Sequence, residues 1–321
     1  MGRGGGCLQT ASIRPQSTPT GDLACACHDG GVTGASRTEG SRAEAFVWST
    51  LNASVVTILD HHSIGADNMD PEVLHRFRVA VRRLRSSLRS LAPLLDRAQA
   101  DALRTRLEDL DELLRPVRDG EVLVERLTST AADVTSRVDA DVVEWIHQRL
   151  VERTELARTQ LLAGLQQTAF LGLVEDLRSL RSSGLIVPVP DASFEELLQQ
   201  MNQRAWQRVR QLANSLSREA ADVELHRVRI LAKRSRYLAE ASAPLLGRSS
   251  SRLAAAATTI QTVLGEHQDS VVLSQALIDL PQSTAANAAT VSALLAVESE
   301  ARTRIRRRWR RSWRRLNRLH R

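Results

Sequence analysis

Apolar residues recur every three or four positions along most of this chain, which is the signature of amphipathic helices packed on one face. The pattern starts near Ser41, and residues 42–62 predict a first helix. Asp70-Pro71-Glu72 is a strong helix start: an N-cap carboxylate, a proline in the first turn and an acid at the positive helix end. That helix should run to about Leu95, with Phe77, Val81, Leu84, Leu88, Leu91 and Leu95 on its apolar face. Residues 98–130 predict a third helix and 139–183 one or two more. Gly184 to Pro190 contains Val-Pro-Val-Pro, which cannot continue a helix, and a boundary belongs there. Four further helices are expected at about 193–217, 221–244, 249–280 and 284–319.

The polar positions repeat as well. Residues 75–85 read His-Arg-Phe-Arg-Val-Ala-Val-Arg-Arg-Leu-Arg, and residues 226–236 read His-Arg-Val-Arg-Ile-Leu-Ala-Lys-Arg-Ser-Arg. His75, Arg76, Arg78, Arg82, Arg83 and Arg85 coincide with His226, Arg227, Arg229, Lys233, Arg234 and Arg236. A second match aligns Leu114–Leu123, containing Asp119, with Leu264–Leu273, containing Asp269. Two matched motifs in the same order imply an internal duplication. The expected fold is all-α, with two pseudo-symmetric antiparallel bundles of about four helices each. One covers about residues 42–184 and the other about 193–319.

Composition fits this picture. The 321 residues are 42% hydrophobic with only nine prolines. The net charge of +7 is unevenly spread. Arginines crowd residues 75–89 and 302–321, where no acid interrupts them, and 226–236 is likewise free of acids. Such blocks imply a polyanionic partner: phosphate polymer, nucleic acid or acidic lipid. Lys233 is the only lysine. A GC-rich genome accounts for a global arginine bias but not for its clustering. No apolar run is long enough for a membrane span and no signal peptide is evident, so the cytoplasm is the expected setting.

Residues 1–40 are rich in Gly, Ser and Thr and are expected to be disordered. Cys7, Cys25, Cys27 and His28 lie there with a spacing that matches no common zinc finger. A start codon assigned upstream of the native one would also explain this stretch; mass spectrometry of the native N-terminus distinguishes the two. No metal site or cofactor is expected. Asp60-His61-His62 and His28-Asp29 belong to no spaced ligand set.

On a helical wheel at ~100° per residue, His75, Arg78, Arg82, Arg85 and Arg89 form one stripe about 80° wide. His226, Arg229, Lys233 and Arg236 form the same stripe, with Glu240 where the first has Arg89. Glu240 either limits the second track or pairs with Arg236 four residues before it. The first stripe is therefore expected to hold an anion more tightly. Cations at such spacing repel one another, and a bound polyanion would relieve the repulsion. The neighbouring arginines also disfavour protonating the histidines until an anion binds.

These helices resemble the CHAD family, the conserved histidine α-helical domains. His75 to Arg85 matches the pattern His-x-x-Arg-Val-x-x-Arg-Arg-Leu-Arg, and a variant runs from His226 to Tyr237. Leu264 to Val272 fits Leu-Gly-x-x-Gln-Asp-x-x-Val, whereas the first copy has Arg115 in place of the usual glycine. The resemblance implies a non-catalytic helical domain that binds inorganic polyphosphate. The matching positions are His75, Arg78, Arg82, Arg83, Arg85, His226, Arg229, Lys233, Arg234 and Arg236, and Arg89 extends the first stripe. Asp119 and Asp269 match the family's aspartates and are cast as groups that orient arginines; helix capping is an equal alternative. A polyphosphate-metabolising partner enzyme and location at polyphosphate granules are implied too. The Glu-x-Glu-x-Lys strand of the triphosphatase-like domains often found beside this family is not expected, because the sole lysine lies on the second basic helix.

Two other functions stay open on the residues alone. One is an enzyme acting on polyphosphate or phosphate esters. The other is nucleic-acid binding through Arg302–Arg321, where Trp309 and Trp313 would either face bases or pack into the last bundle helix.

Overall fold

The computed structural model describes residues 41–61, 70–134, 137–281 and 284–319, which are helical almost throughout, with no strand among them. The N-terminal stretch with Cys7, Cys25, Cys27 and His28 lies outside the described residues, as does His62. The helices are α1 (Arg42–Asp60), α2 (Pro71–Ser90), α3 (Arg97–Ala132), α4 (Ala140–Leu165), α5 (Thr168–Ser179), α6 (Asp191–Ser215), α7 (Asp222–Leu246), α8 (Arg248–Ile278) and α9 (Ala285–Leu319).

Local chemistry sets the ends. Asp70 accepts the Glu72 amide at 2.7 Å, and Pro71 opens α2. Asp96 caps α3 through the Gln99 amide at 2.9 Å. Gly247, at φ 63°, turns the chain between α7 and α8 in a conformation that a side chain would strain. α2 stops at Ser90, earlier than its periodicity suggests, because Pro93 lies in a following 3-10 turn (Ala92–Leu94). The Gly184–Pro190 break is pinned to that turn: Asp96 donates its amide to the Leu185 carbonyl at 2.7 Å and Val187 donates to Leu94 at 3.0 Å.

Packing is regular. Consecutive long helices form hairpins: α1 with α2, α2 with α3, α3 with α4, then α6 with α7, α7 with α8 and α8 with α9. Across the halves, α1 packs on α6, α2 on α7, α3 on α8 and α4 on α9. These cross-half contacts thus join helices in the same order along the two halves, and α5 packs within the first half.

The halves are not closed separately. One apolar core gathers α1, α2, α5, the first part of α3, the end of α4, the start of α6 and Leu238 of α7, and a second gathers the first half of α7, α8 and the later parts of α6 and α9. A third draws Leu123, Leu127, Ile146 and Leu150 from the first half against Leu273, Leu277, Val291 and Leu294 from the second. Every residue of the apolar face expected on α2, from Phe77 to Leu95, is buried. Burying a side chain of that size stabilises by roughly 1.5–3 kcal/mol, which sets the rotation of α2 and hence where its arginines point.

One ion pair crosses the third core. Glu298 of α9 is 1% exposed. It accepts from Arg126 at 3.1 and 2.7 Å and from Thr130 at 2.6 Å, and Ser270 of α8 donates to it as well. Replacing one partner of a buried pair strands the other. Glu298→Ala should therefore cost about 3–5 kcal/mol of unfolding free energy in denaturant titrations. Glu298→Gln, which keeps the hydrogen-bonding shape, should cost clearly less.

Candidate anion-binding site

α2 buries its apolar face in the first core, whereas α7 buries Leu225, Val228 and Ala232 in the second and joins the first further along through Leu238; their cationic stripes are left to meet where the two helices pack together. Arg78, Arg82 and Arg85 come from α2; His226, Arg229 and Lys233 come from α7. The flanking helices supply Arg115, Arg118, Asp111 and Asp119 from α3 and Asp269 from α8. Lys233 feels Arg82 and Arg229 most strongly among charged groups, then Asp111 and Arg85. Arg229 feels Asp269, Arg82 and Asp119.

The carboxylates are tied to the rim of this cluster. Asp119 lies 3.5 Å from Arg78, and Asp111 lies 3.1 Å from Arg85 and 3.7 Å from Arg115. Glu121 holds Arg118 at 3.3 Å and Arg158 at 3.1 Å. No such pair forms at the centre: among the described residues, Arg82, Arg229 and Lys233 have no carboxylate within 4.0 Å. The buried Nε atoms of Arg78, Arg82 and Arg229 and Nδ1 of His226 have no hydrogen-bond partner among the described residues. Orphaned buried donors are expensive, and donors on cations suit an anion.

Burial and mutual repulsion show in the protonation of these groups. Burial, with help from Arg82 and Arg229, pushes the Lys233 ammonium down to about 6. Burial and Arg82 bring Arg78 down to about 10. Arg229 is lowered chiefly by burial, as is His226, to which the Arg229 cation adds. Asp119 and Asp269 are raised by burial, against the pull of Arg78 and Arg229.

The remaining sequence candidates lie around this centre. His75 is exposed and lines a groove of about 690 Å³ with Arg76, Arg83, Tyr237, Glu240 and hydroxyls of α1. Arg236 pairs with Glu240 at 3.4 Å, the i to i+4 contact anticipated for it. Arg234 feels the charges of Arg89, of Arg104 on α3 and of Arg208 on α6. His61 donates from Nδ1 to the Thr57 carbonyl at 2.8 Å and stacks on Phe77, so it closes α1. Among the described residues no group of three or more His, Cys, Asp or Glu could hold a metal ion.

Asp111 was not singled out from the sequence. Its signal is an acid inside the apolar stripe Leu107, Leu110, Leu114, Val117, where burial at 6% requires a cationic partner. Arg115 occupies the place that Gly265 has in the second of the matched motifs; Gly265 leaves room for the Arg229 side chain, 3.7 Å from where a Cβ would stand.

A family model described as the CHAD domain matches residues 50–278. The chain belongs to the CHAD domain family. The uncharacterised protein Rv2226 of Mycobacterium tuberculosis strain H37Rv is 30% identical over 244 residues, 72% of this chain and 44% of that protein. Protein MT2285 of strain CDC 1551 matches to the same extent, so the chain spans under half the length of these curated relatives. Among solved structures, PptA from Streptomyces chartreusis superimposes with a TM-score of 0.70 at 19% identity, covering 84% of this chain and 99% of that one. The CHAD domain from the plant Ricinus communis gives 0.63 at 22%, covering 85% and 91%. Membership of the CHAD family fits association with polyphosphate in coarse terms.

The buried ammonium makes a stability prediction. In the unfolded chain Lys233 holds its proton up to about 10.5; folded, it releases it near 6. The unfolded state therefore binds more protons across that window, and stability should rise with pH between these values. Lys233→Met should flatten this rise and raise the thermal midpoint most at the acidic end of the window.

Proposed function

We propose that this CHAD domain is a non-catalytic receptor for inorganic polyphosphate, held between α2 and α7. The observation that carries the reading is the central trio Arg82, Arg229 and Lys233: half-buried, mutually repelling and without a carboxylate partner among the described residues. Arg78 and Arg85 extend the track on α2, with His226 and Arg236 on α7. Arg83, Arg89 and Arg234 stand at its ends, and His75 stands on the α1 side. Asp119 pairs with Arg78 from α3, and Asp269 of α8 attracts Arg229 without reaching it as an ion-pair partner, so both carboxylates stay to the side of the track. The arginines offer forked donors to phosphate oxygens, and Lys233 offers a point charge.

The matched motifs and the packing of each helix on its counterpart support an origin by duplication, with units at about 42–184 and 193–319. A partner that makes or degrades polyphosphate, and residence at polyphosphate granules in the cytoplasm, are consistent with such a receptor. No helix among the described residues is long and apolar enough to cross a membrane.

Nucleic acid is the competing polyanion, because α9 exposes Arg307, Arg311, Arg314, Arg315 and Arg318. Its aromatics do not help. Trp309 and Trp313 are buried at 4% and 7%, stacked on each other with centroids 5.8 Å apart, and Trp313 donates to Asn214 at 2.9 Å. Bases would find no stacking surface on them.

The test is titration of linear polyphosphate into wild type and an Arg82→Ala/Lys233→Ala double variant. With each charge-assisted contact worth roughly 1.5–3 kcal/mol, the variant should bind about a hundredfold more weakly or worse. Duplex DNA that binds as tightly as polyphosphate at about 150 mM salt, near the physiological range, would overturn the reading. So would steady phosphate release with Mg²⁺ that disappears in the variant.

A further inference from the structure

The two stripes differ in charge at one matched pair of positions, and the difference falls toward the ends of the track. Arg83 and Arg234 are counterparts, as are Arg89 and Glu240. On the α1 side Arg83 reaches across to Glu240 at 3.3 Å, and Arg236 shares the same carboxylate at 3.4 Å. Both guanidiniums lie over the Tyr237 ring, 5.5 and 4.8 Å from its centroid. Two cations are thus engaged by one acid and one aromatic face.

On the α6 side the counterpart positions are both cations. Arg234 feels the charge of Arg89 most strongly, then those of Arg104, Arg85 and Arg208. Burial and these neighbours bring Arg234 down to about 10. Asp101 pairs with Arg104, and Asp111 with Arg85, but Arg89, Arg208 and Arg234 have no carboxylate within 4.0 Å among the described residues. Arg85 acts on both Lys233 and Arg234, so this end is continuous with the central trio.

We propose that the track is one-ended: a linear polyphosphate leaves it over Arg85, Arg89 and Arg234, while Glu240 stops the chain on the α1 side, so the protein takes chain termini rather than internal segments. The inference rests on the polyphosphate reading above and specifies which part of the polymer is bound. Every phosphate of the chain is anionic, so passage past Glu240 would set a carboxylate against it and compete for Arg83 and Arg236. Passage over Arg89 and Arg234 relieves a repulsion that already exists.

The stoichiometry on long chains tests this, measured by light scattering or sedimentation with linear polyphosphates of defined length. Wild type should load one protein at each end, whatever the length. Glu240→Gln and Glu240→Arg should open the blocked side, so that proteins bound per chain rise in proportion to length. Arg89→Glu/Arg234→Glu should lose roughly tenfold or more in affinity for long chains, the equivalent of one charge-assisted contact. A wild type whose bound copies already grow with chain length overturns the one-ended track and leaves the receptor reading standing. A wild type that binds no linear chain at all overturns both.

Discussion

The constraint on which this fold depends is the burial of like charges where α2 meets α7. Burial, with Arg82 and Arg229 close by, depresses the Lys233 ammonium to about 6. Nothing between those side chains favours that arrangement. It is maintained from outside, by apolar faces that fix the rotation of each helix. Phe77, Val81, Leu84 and Leu88 hold α2 in the first core, and Val228 and Ala232 hold α7 in the second. Turning either helix to release its cations would expose residues that are now fully buried, each worth roughly 1.5–3 kcal/mol. The third core and the Glu298–Arg126 pair lock the outer hairpins across the halves, so the two stripes cannot slide apart.

That arrangement stores repulsion that a polyanion can relieve. The rim carboxylates Asp111 and Asp119 balance the outer arginines without reaching the centre. A receptor organised in this way does not need to assemble its cations on binding, so little ordering is lost to conformational entropy. His226 follows the same logic: burial and Arg229 favour its neutral form until an anion compensates. Glu240 and Arg89 then distinguish two ends that the matched sequence otherwise makes alike.

Much of this was legible in the sequence because helices translate spacing into direction. Heptad-like periodicity located the long helices to within a few residues, and Asp70-Pro71-Glu72 marked the start of α2. The two His–Arg helices and the aspartates at 119 and 269 stood out because they recur. Partners brought together only by helix packing were not legible. Arg83 and Glu240 are 157 positions apart, and Arg126 and Glu298 are 172. The wheel also placed His75 and Arg89 in one stripe with Arg82, whereas crossing helices separate them: the first turn faces the α1 groove and the last faces α6. Periodicity gives a direction around one helix axis, not the crossing of two, so the contrast between stripes read as a contrast between halves.

Lys233 allows a direct measurement, since it is the only lysine in the chain and labelled lysine gives a single side-chain signal. Following that signal by NMR through a pH titration, with and without linear polyphosphate, reports the charge at the centre of the site. The free protein should show Lys233 titrating near 6, and bound polyphosphate should move its midpoint upward by several units. A Lys233 that titrates near its ordinary value in the free protein, or that does not respond to polyphosphate, would contradict a buried cationic receptor between α2 and α7.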